Sequence, residues 1–276
     1  MTELKDASFL AQEAKRFDYD RWLVSLFAPM PARSRIHALL AFNGEISRVR
    51  ETVSEVLLGD IRFQWWRDAL SNMEDDKYLN HPILQNLKII ISEHDLDISL
   101  FGDMINARSA DMDPCPFATN TELLEYATGT GGLLSGLTYR VMGNREEAGY
   151  KAAQQVGRAF ALIGIIRAIP YHVSQDLLLI PQEVLENHDL VPESVFKEEN
   201  RLAFYDVVKD LVALAEKEQL EAVRAVRQRP KSEKPSYSLL ALNNLYLSRI
   251  RNSGFDPAHR RLNIGPLRKI IALLTK

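Results

Sequence analysis

The chain has 276 residues, 46% of them hydrophobic and 26% charged, with a formal net charge of −3. That balance is ordinary for a globular protein and gives no global attraction to nucleic acid or to an anionic membrane. The only cysteine, Cys115, excludes disulfides within the chain and fits a reducing compartment.

The N-terminal stretch MTELKDASFLAQEAKRFDYD mixes acids with bases and holds no apolar run, unlike a signal peptide or an acid-poor transit peptide. No run approaches the roughly 18 consecutive apolar residues that a membrane-spanning helix uses. The expected setting is therefore the bacterial cytoplasm, or else that of a chain already processed, with peripheral contact to the inner membrane left open.

Periodicity assigns the first elements from residue 34 onward. Ile36, Leu39, Leu40, Phe42, Ile46, Val49, Val53 and Val56 recur at steps of three and four, which predicts a helix over residues 34–57. Ile61, Trp65, Ala69 and Leu70 continue the pattern over 60–72, with Gly59 expected between the two helices. Two further helices are predicted over 82–93 and 97–110, split near Asp95–Asp97. The stretch 111–120, with two prolines and short polar side chains, reads as a loop, and Thr121 as the cap of the next helix.

Residues 121–142 keep a helical pattern but hold Gly129, Gly131, Gly132 and Gly136. An interior glycine costs a helix about 1 kcal/mol against alanine. The cluster means either close helix packing or room for a ligand beside the backbone. Residues 147–169 form a helix that is apolar nearly all round from 159, which places it mid-fold, and Pro170 is expected to end or kink it. Helices over 201–228, 237–252 and 264–275 follow, with a polar loop at 229–236. No strand run and no repeat intervenes. The sum is one all-α domain, residues 1–276, of about ten helices.

Three segments carry a resemblance to a known family. Leu39 to Leu70, with Trp66, Arg67 and Leu70 closing it, resembles the first signature helix of squalene and phytoene synthases. Tyr126 to Leu137 resembles that family's small-residue helix. Val156 to Pro181 resembles its second signature, with Gly157, Ala159, Ile165, Arg167 and Pro181 in place without a gap. The resemblance implies the isoprenoid (terpenoid) synthase fold, a helical bundle around a central apolar cavity. It also implies Mg²⁺ held by carboxylates on two facing helices, which takes up the charge of a departing diphosphate.

The acids are mostly missing. The first acidic cluster falls on Arg50, Glu51 and Ser54, and the second on Ala168 and His172; an asparagine position falls on Gly164. Glu51 and Glu55, one turn apart on the predicted helix, are the candidate Mg²⁺ ligands, with Asp176 a further ligand for an active enzyme and Tyr171 and His172 the other candidates for chemistry. Positive charge has risen instead. Arg48, Arg50, Arg158 and Arg167 could hold a phosphate or carboxylate without metal, and Gly132 and Gly164 could leave it room.

One branch shares these departures. The runs Phe42-Asn43-Gly44-Glu45-Ile46 and Ile166-Arg167-Ala168-Ile169-Pro170-Tyr171-His172 resemble those of a mitochondrial complex I assembly factor and its bacterial relatives. That resemblance implies a non-catalytic factor in respiratory complex I assembly. Its partners would be complex I subunits or other assembly factors, and it could keep an isoprenoid or lipid-like ligand. The alternative is an active Mg²⁺-dependent prenyltransferase that condenses two polyprenyl diphosphates.

Overall fold

A computed structural model describes residues 4–275, and among them every regular element is helical. The ends of the expected 1–276 domain, Met1–Glu3 and Lys276, lie outside the described residues. Among the described residues there are fifteen α-helices rather than about ten. The excess has two sources. Single turns such as α4 (Val49–Thr52), α6 (Asp76–Leu79) and α12 (Gln182–Glu186) are too short to show a period, and α1 (Ala7–Phe17) and α2 (Tyr19–Ser25) precede the first assigned residue.

The predicted helix over 34–57 is broken. Helix α3 (Met30–Ser47) buries Ile36, Leu39, Leu40, Phe42 and Ile46 and stops at Arg48. After the α4 turn, Val53 and Glu55 are extended (φ −123°, ψ 148° and φ −137°, ψ 145°). Helix α5 (Val56–Ser71) then starts with Val56, Leu57 and Leu58 exposed, so the apolar period there does not report burial. Gly59 lies inside α5 rather than between helices, because its bare backbone admits the Met112 side chain: a Cβ there would stand 2.5 Å from the Met112 methyl.

Helices α7 (Pro82–His94) and α8 (Ser99–Ser109) lie where expected, divided by Asp95 in the left-handed region (φ 51°). Thr119, not Thr121, caps α9 (Asn120–Ala127): its hydroxyl accepts the Glu122 amide, and the Glu122 carboxylate accepts the Thr119 amide. The glycine cluster forms a π turn, Thr128–Gly132, that leads into α10 (Leu133–Val141). The π turn passes α11 (Glu147–Ser174) at backbone distance: a Cβ on Gly131 would stand 2.6 Å from the Gly157 carbonyl. Packing therefore accounts for Gly131 and Gly157.

Helix α11 is the axis of the fold. It packs against α9, the π turn, α10, α13 (Arg201–Arg227) and α14 (Leu239–Asn252). It passes through Pro170 and ends four residues later. Pro170 is exposed, while Ile166 and Ile169 beside it are buried, and their packing offsets the missing amide. By length and composition α11 could cross a membrane; half of its most apolar stretch is buried within the protein. One hydrophobic cluster gathers around α11, α13 and α14, the other around α3, α5, α7, α8 and α10. The polar stretch 229–236 is not a free loop: Lys231–Tyr237 turns as a 3₁₀ helix, held by the Glu233 carboxylate, which accepts from Arg229 and Tyr237. Helix α15 (Pro266–Leu274) closes the chain against α14.

Candidate functional site

The end of α11 meets the α4 turn. Asp176 takes the left-handed conformation (φ 51°), the Leu177 amide donates to the His172 carbonyl and the Asp176 amide to that of Val173. This is a Schellman ending with aspartate where glycine is usual. It leaves the Gln175 and Asp176 carbonyls open, and Arg50 takes both. Arg50 Nη2 donates to Asp176 O at 2.8 Å and to Gln175 O at 3.1 Å, and Nη1 donates to Asp111 O at 2.8 Å. A guanidinium at a helix C-terminus also meets the negative end of the helix dipole. Arg50 thus pins the two signature segments together.

Beside it, Glu51 and Glu55 do not share a helical face, because Val53 and Glu55 are extended. The Glu51 carboxylate beside the Tyr171 hydroxyl pushes the phenol up to about 12. Tyr171 is half exposed, and Glu55 is exposed at the start of α5.

The other expected arginines are held elsewhere. Arg48 pairs with Glu45 at 2.8 Å and lies over the Phe17 ring. Arg158 pairs with the buried Glu218 of α13. Arg167 lies over the Tyr246 ring and 3.4 Å from Asp20 Oδ2. Asp20 is itself a buried hub: Tyr246 donates to it at 2.5 Å and Lys269 at 2.6 Å, joining α2, α11, α14 and α15. Gly132 faces the Gln154 carbonyl of α11, with 3.3 Å left for a Cβ.

Between these elements lies a cavity of about 190 Å³, lined among others by Arg21, Asn43, Arg108, Tyr126, Gly164 and His172. It is neither large nor wholly apolar, so the expected apolar cavity is not found here. The wider apolar grooves, about 350 and 580 Å³, run over the outside, beside Phe196 and Phe204 and between α13, α14 and α15. Gly164 has no atom within 4 Å of where its Cβ would stand, so it opens directly on free space.

Several residues that line this small cavity carry buried polar atoms without partners. Arg21 Nη1 pairs with Asp18 at 2.8 Å, but its Nε and Nη2 have no acceptor. Arg108 donates through Nη1 to Tyr126 Oη at 2.6 Å and Tyr126 in turn to Asp111 at 2.7 Å, while Arg108 Nε has no acceptor. Asn43 Oδ1 and His172 Nδ1 are likewise buried and unbonded. Burial, and then the charge of Arg108, push the His172 imidazole down to about 4, so it is neutral at pH 7. Burial pushes the Asp111 carboxyl up, against the pull of Arg108.

The squalene/phytoene synthase family model matches residues 14–268. The chain belongs to the squalene/phytoene synthase family. Among curated relatives of this family, NADH dehydrogenase (ubiquinone) complex I, assembly factor 6 of Mus musculus is 29% identical over 90% of this chain and 74% of its own length. The protein of the same name from Homo sapiens is 26% identical over the same shares. A chloroplastic phytoene synthase of Daucus carota is 25% identical over 66% of this chain. Of solved structures, a dehydrosqualene synthase in complex with ligand superposes with a TM-score of 0.80 at 15% identity, covering 98% of this chain and 95% of that one. The squalene synthase HpnC from Alicyclobacillus acidocaldarius reaches 0.76 at 15% identity over 91% and 95%. These two show the isoprenoid synthase fold.

The donor set does not fit the family's Mg²⁺ site. Mg²⁺ asks for oxygen ligands in octahedral array. At the first cluster stand a hydrogen-bonded arginine and a glutamate engaged by a phenol, and at the second an alanine and a neutral histidine. Among the described residues no group of three or more His, Cys, Asp or Glu side chains is placed to hold a metal. Sequence reasoning missed Arg21, Arg108 and Asp20, which lie outside the signature segments. The one local signal was an acid three residues from each arginine, Asp18 and Asp111.

Proposed function

We propose that this chain is a non-catalytic member of the squalene/phytoene synthase family that acts in the assembly of respiratory complex I. The observation that carries the reading is Arg50. Where the family's chemistry would place a metal-binding carboxylate, this side chain caps the facing helix and joins the two signature segments by direct hydrogen bonds. A divalent ion at that place would meet a fixed positive charge. The second cluster offers no carboxylate, so the loss is matched on both helices. The names of the relatives that cover most of this chain support the complex I setting.

Two measurements test this. Purified protein given farnesyl diphosphate and Mg²⁺ should release no diphosphate above background. Cells lacking the gene should lose NADH–quinone oxidoreductase activity while keeping succinate oxidation, and regain it with the wild-type gene. Robust Mg²⁺-dependent condensation, abolished by Glu51→Ala, refutes the non-catalytic reading. Unchanged complex I in the deletion refutes the assembly role.

A further inference from the structure

We propose that helix α15 and the surface beside it form a docking face for an anionic lipid bilayer. Leu267, Ile271 and Leu274 enter the headgroup layer, and Arg260, Arg261 and Arg268 meet the lipid phosphates. The claim stands apart from the complex I assignment and rests on how α15 is held and on what it turns outward. Lys269 and Leu273 are buried, and the Lys269 ammonium donates to Asp20 at 2.6 Å, inside the hub that Tyr246 and Arg167 share. One face of the helix is therefore fixed against the body. Leu267, Ile271 and Leu274 follow one another at steps of four and three, so they share another face, and they are 75%, 58% and 68% exposed. An apolar stripe left so open to water gains free energy from whatever covers it. The apolar surface does not stop at the helix. Ala272 and Thr275 help to line a groove of about 580 Å³ that Val223, Val226, Leu240 and Leu245 continue on α13 and α14.

Charge identifies the cover. The net charge of −3 hides an uneven distribution: residues 257–276 include Arg260, Arg261, Arg268, Lys269 and Lys276, and no acid. Arg260, Arg261 and Arg268 are exposed. Arg268 borders the stripe on α15, and Arg260 and Arg261 lie in the 3₁₀ turn Arg260–Leu262 just before it. Leucine and isoleucine on one face with arginines at its border is the pattern by which a helix lies in a bilayer interface, apolar side chains below the headgroups and guanidiniums at the phosphates. The exposed apolar start of α5 lacks that pattern. Val56, Leu57, Leu58 and Ile61 belong to a stretch that also exposes Glu55 and Asp60, and an anionic surface repels those carboxylates. A second copy of the chain suits the α15 face less well, because a two-fold contact there brings the same arginines of both copies together.

The test is flotation of the purified full chain with vesicles of phosphatidylcholine alone and of phosphatidylcholine mixed with phosphatidylglycerol, at low and at high salt. The expected result is flotation with the mixed vesicles only, weakened at high salt. Ile271→Glu should weaken vesicle binding about tenfold or more, and Leu267→Ser, at the most exposed point of the stripe, should weaken it as well. Arg260→Gln and Arg268→Gln should each cost about fivefold. Leu57→Glu, on α5, should leave binding unchanged. All five positions are exposed, so each variant should keep the wild-type Tm. The proposal is overturned by no flotation with the mixed vesicles, by equal flotation with neutral ones, by unchanged binding in folded Ile271→Glu and Leu267→Ser proteins, or by a loss in Leu57→Glu equal to that in Ile271→Glu. It is also overturned if the lipid-free chain sediments as a dimer that Ile271→Glu dissociates, because a second copy then holds the stripe.

Discussion

Replacing Arg50 by aspartate returns the family's acid to its expected place, and the structure says what that does. Arg50 donates to the carbonyls of Asp111, Gln175 and Asp176. A hydrogen bond from a charged donor contributes about 1.5–3 kcal/mol when well buried. Part of this contact is exposed, and bonds made by one guanidinium are not additive, so a total of about 2–3 kcal/mol is the working figure. Aspartate also sets a negative charge against the C-terminus of α11, which adds about 0.5 kcal/mol of penalty. For a chain of this size about 3 kcal/mol lowers Tm by about 6–12 °C. Arg50→Met, which keeps bulk without charge, should lose somewhat less. Thermal unfolding followed by circular dichroism measures both. The double readout is diphosphate release from farnesyl diphosphate with Mg²⁺, which should stay at background in Arg50→Asp, because the second cluster still holds Ala168 and His172 in place of carboxylates. An Arg50→Asp protein as stable as wild type would refute the cap. One that gained Mg²⁺-dependent turnover would refute the view that the second cluster is also disabled.

Three further outcomes are expected. Asp20→Asn leaves Arg167 and Lys269 facing each other without their shared anion and should cost about 3–5 kcal/mol in urea unfolding, whereas a surface pair such as Lys209–Asp206 should cost under about 1 kcal/mol. His37 and His172 are both pushed down to about 4, chiefly by burial. Their unfolded forms bind protons first, so stability is full above pH 6.5 and falls as pH drops toward 4, by about 3 kcal/mol per histidine at most; a flat stability profile across that window would show that neither stays neutral in the fold. Gly157→Ala drives a methyl into the Gly131 carbonyl and should cost about 3 kcal/mol or prevent folding, while Gly164→Ala, with open space at that position, should be neutral or slightly stabilising in the same unfolding assay.

Much of the frame was legible because it is written in contiguous runs. Helix α11 announced itself by its all-round apolar stretch, and the fold family by Trp66, Arg67, Gly157 and Arg167 in order. The break at Val53 was not legible. Periodicity counts apolar residues and cannot tell Val49, which is fully buried, from Val56, which is 56% exposed. That error put Glu51 and Glu55 on a common face they do not share. The same limit explains the arginines. Arg158 and Arg167 looked free in the sequence because the acid each one meets lies on another helix, whereas the partner of Arg48 is Glu45, only three residues before it. Arg21 and Arg108 looked ordinary because each has an acid three residues away, and only the folded structure shows that Arg21 Nε and Nη2 and Arg108 Nε are buried without an acceptor.

What the structure adds to the missing acids is a mechanical reason why their loss is coherent. In a metal-dependent member the two signature segments would be joined through ions, and removing the carboxylates alone would leave two helix ends with unmet polar groups. Arginine at position 50 solves both problems at once. It supplies donors to the open carbonyls at the end of α11, and it ties that end to the α4 turn without an ion. Once that link exists, a carboxylate at Ala168 or His172 would have no metal to bind, and His172 can sit neutral against the cavity instead. A double-mutant cycle between Arg50→Asp and His172→Asp is expected to show that the two clusters are coupled, by about 1 kcal/mol or more, unfavourable without metal. Simple additivity of the two changes would mean that the clusters lost their acids independently.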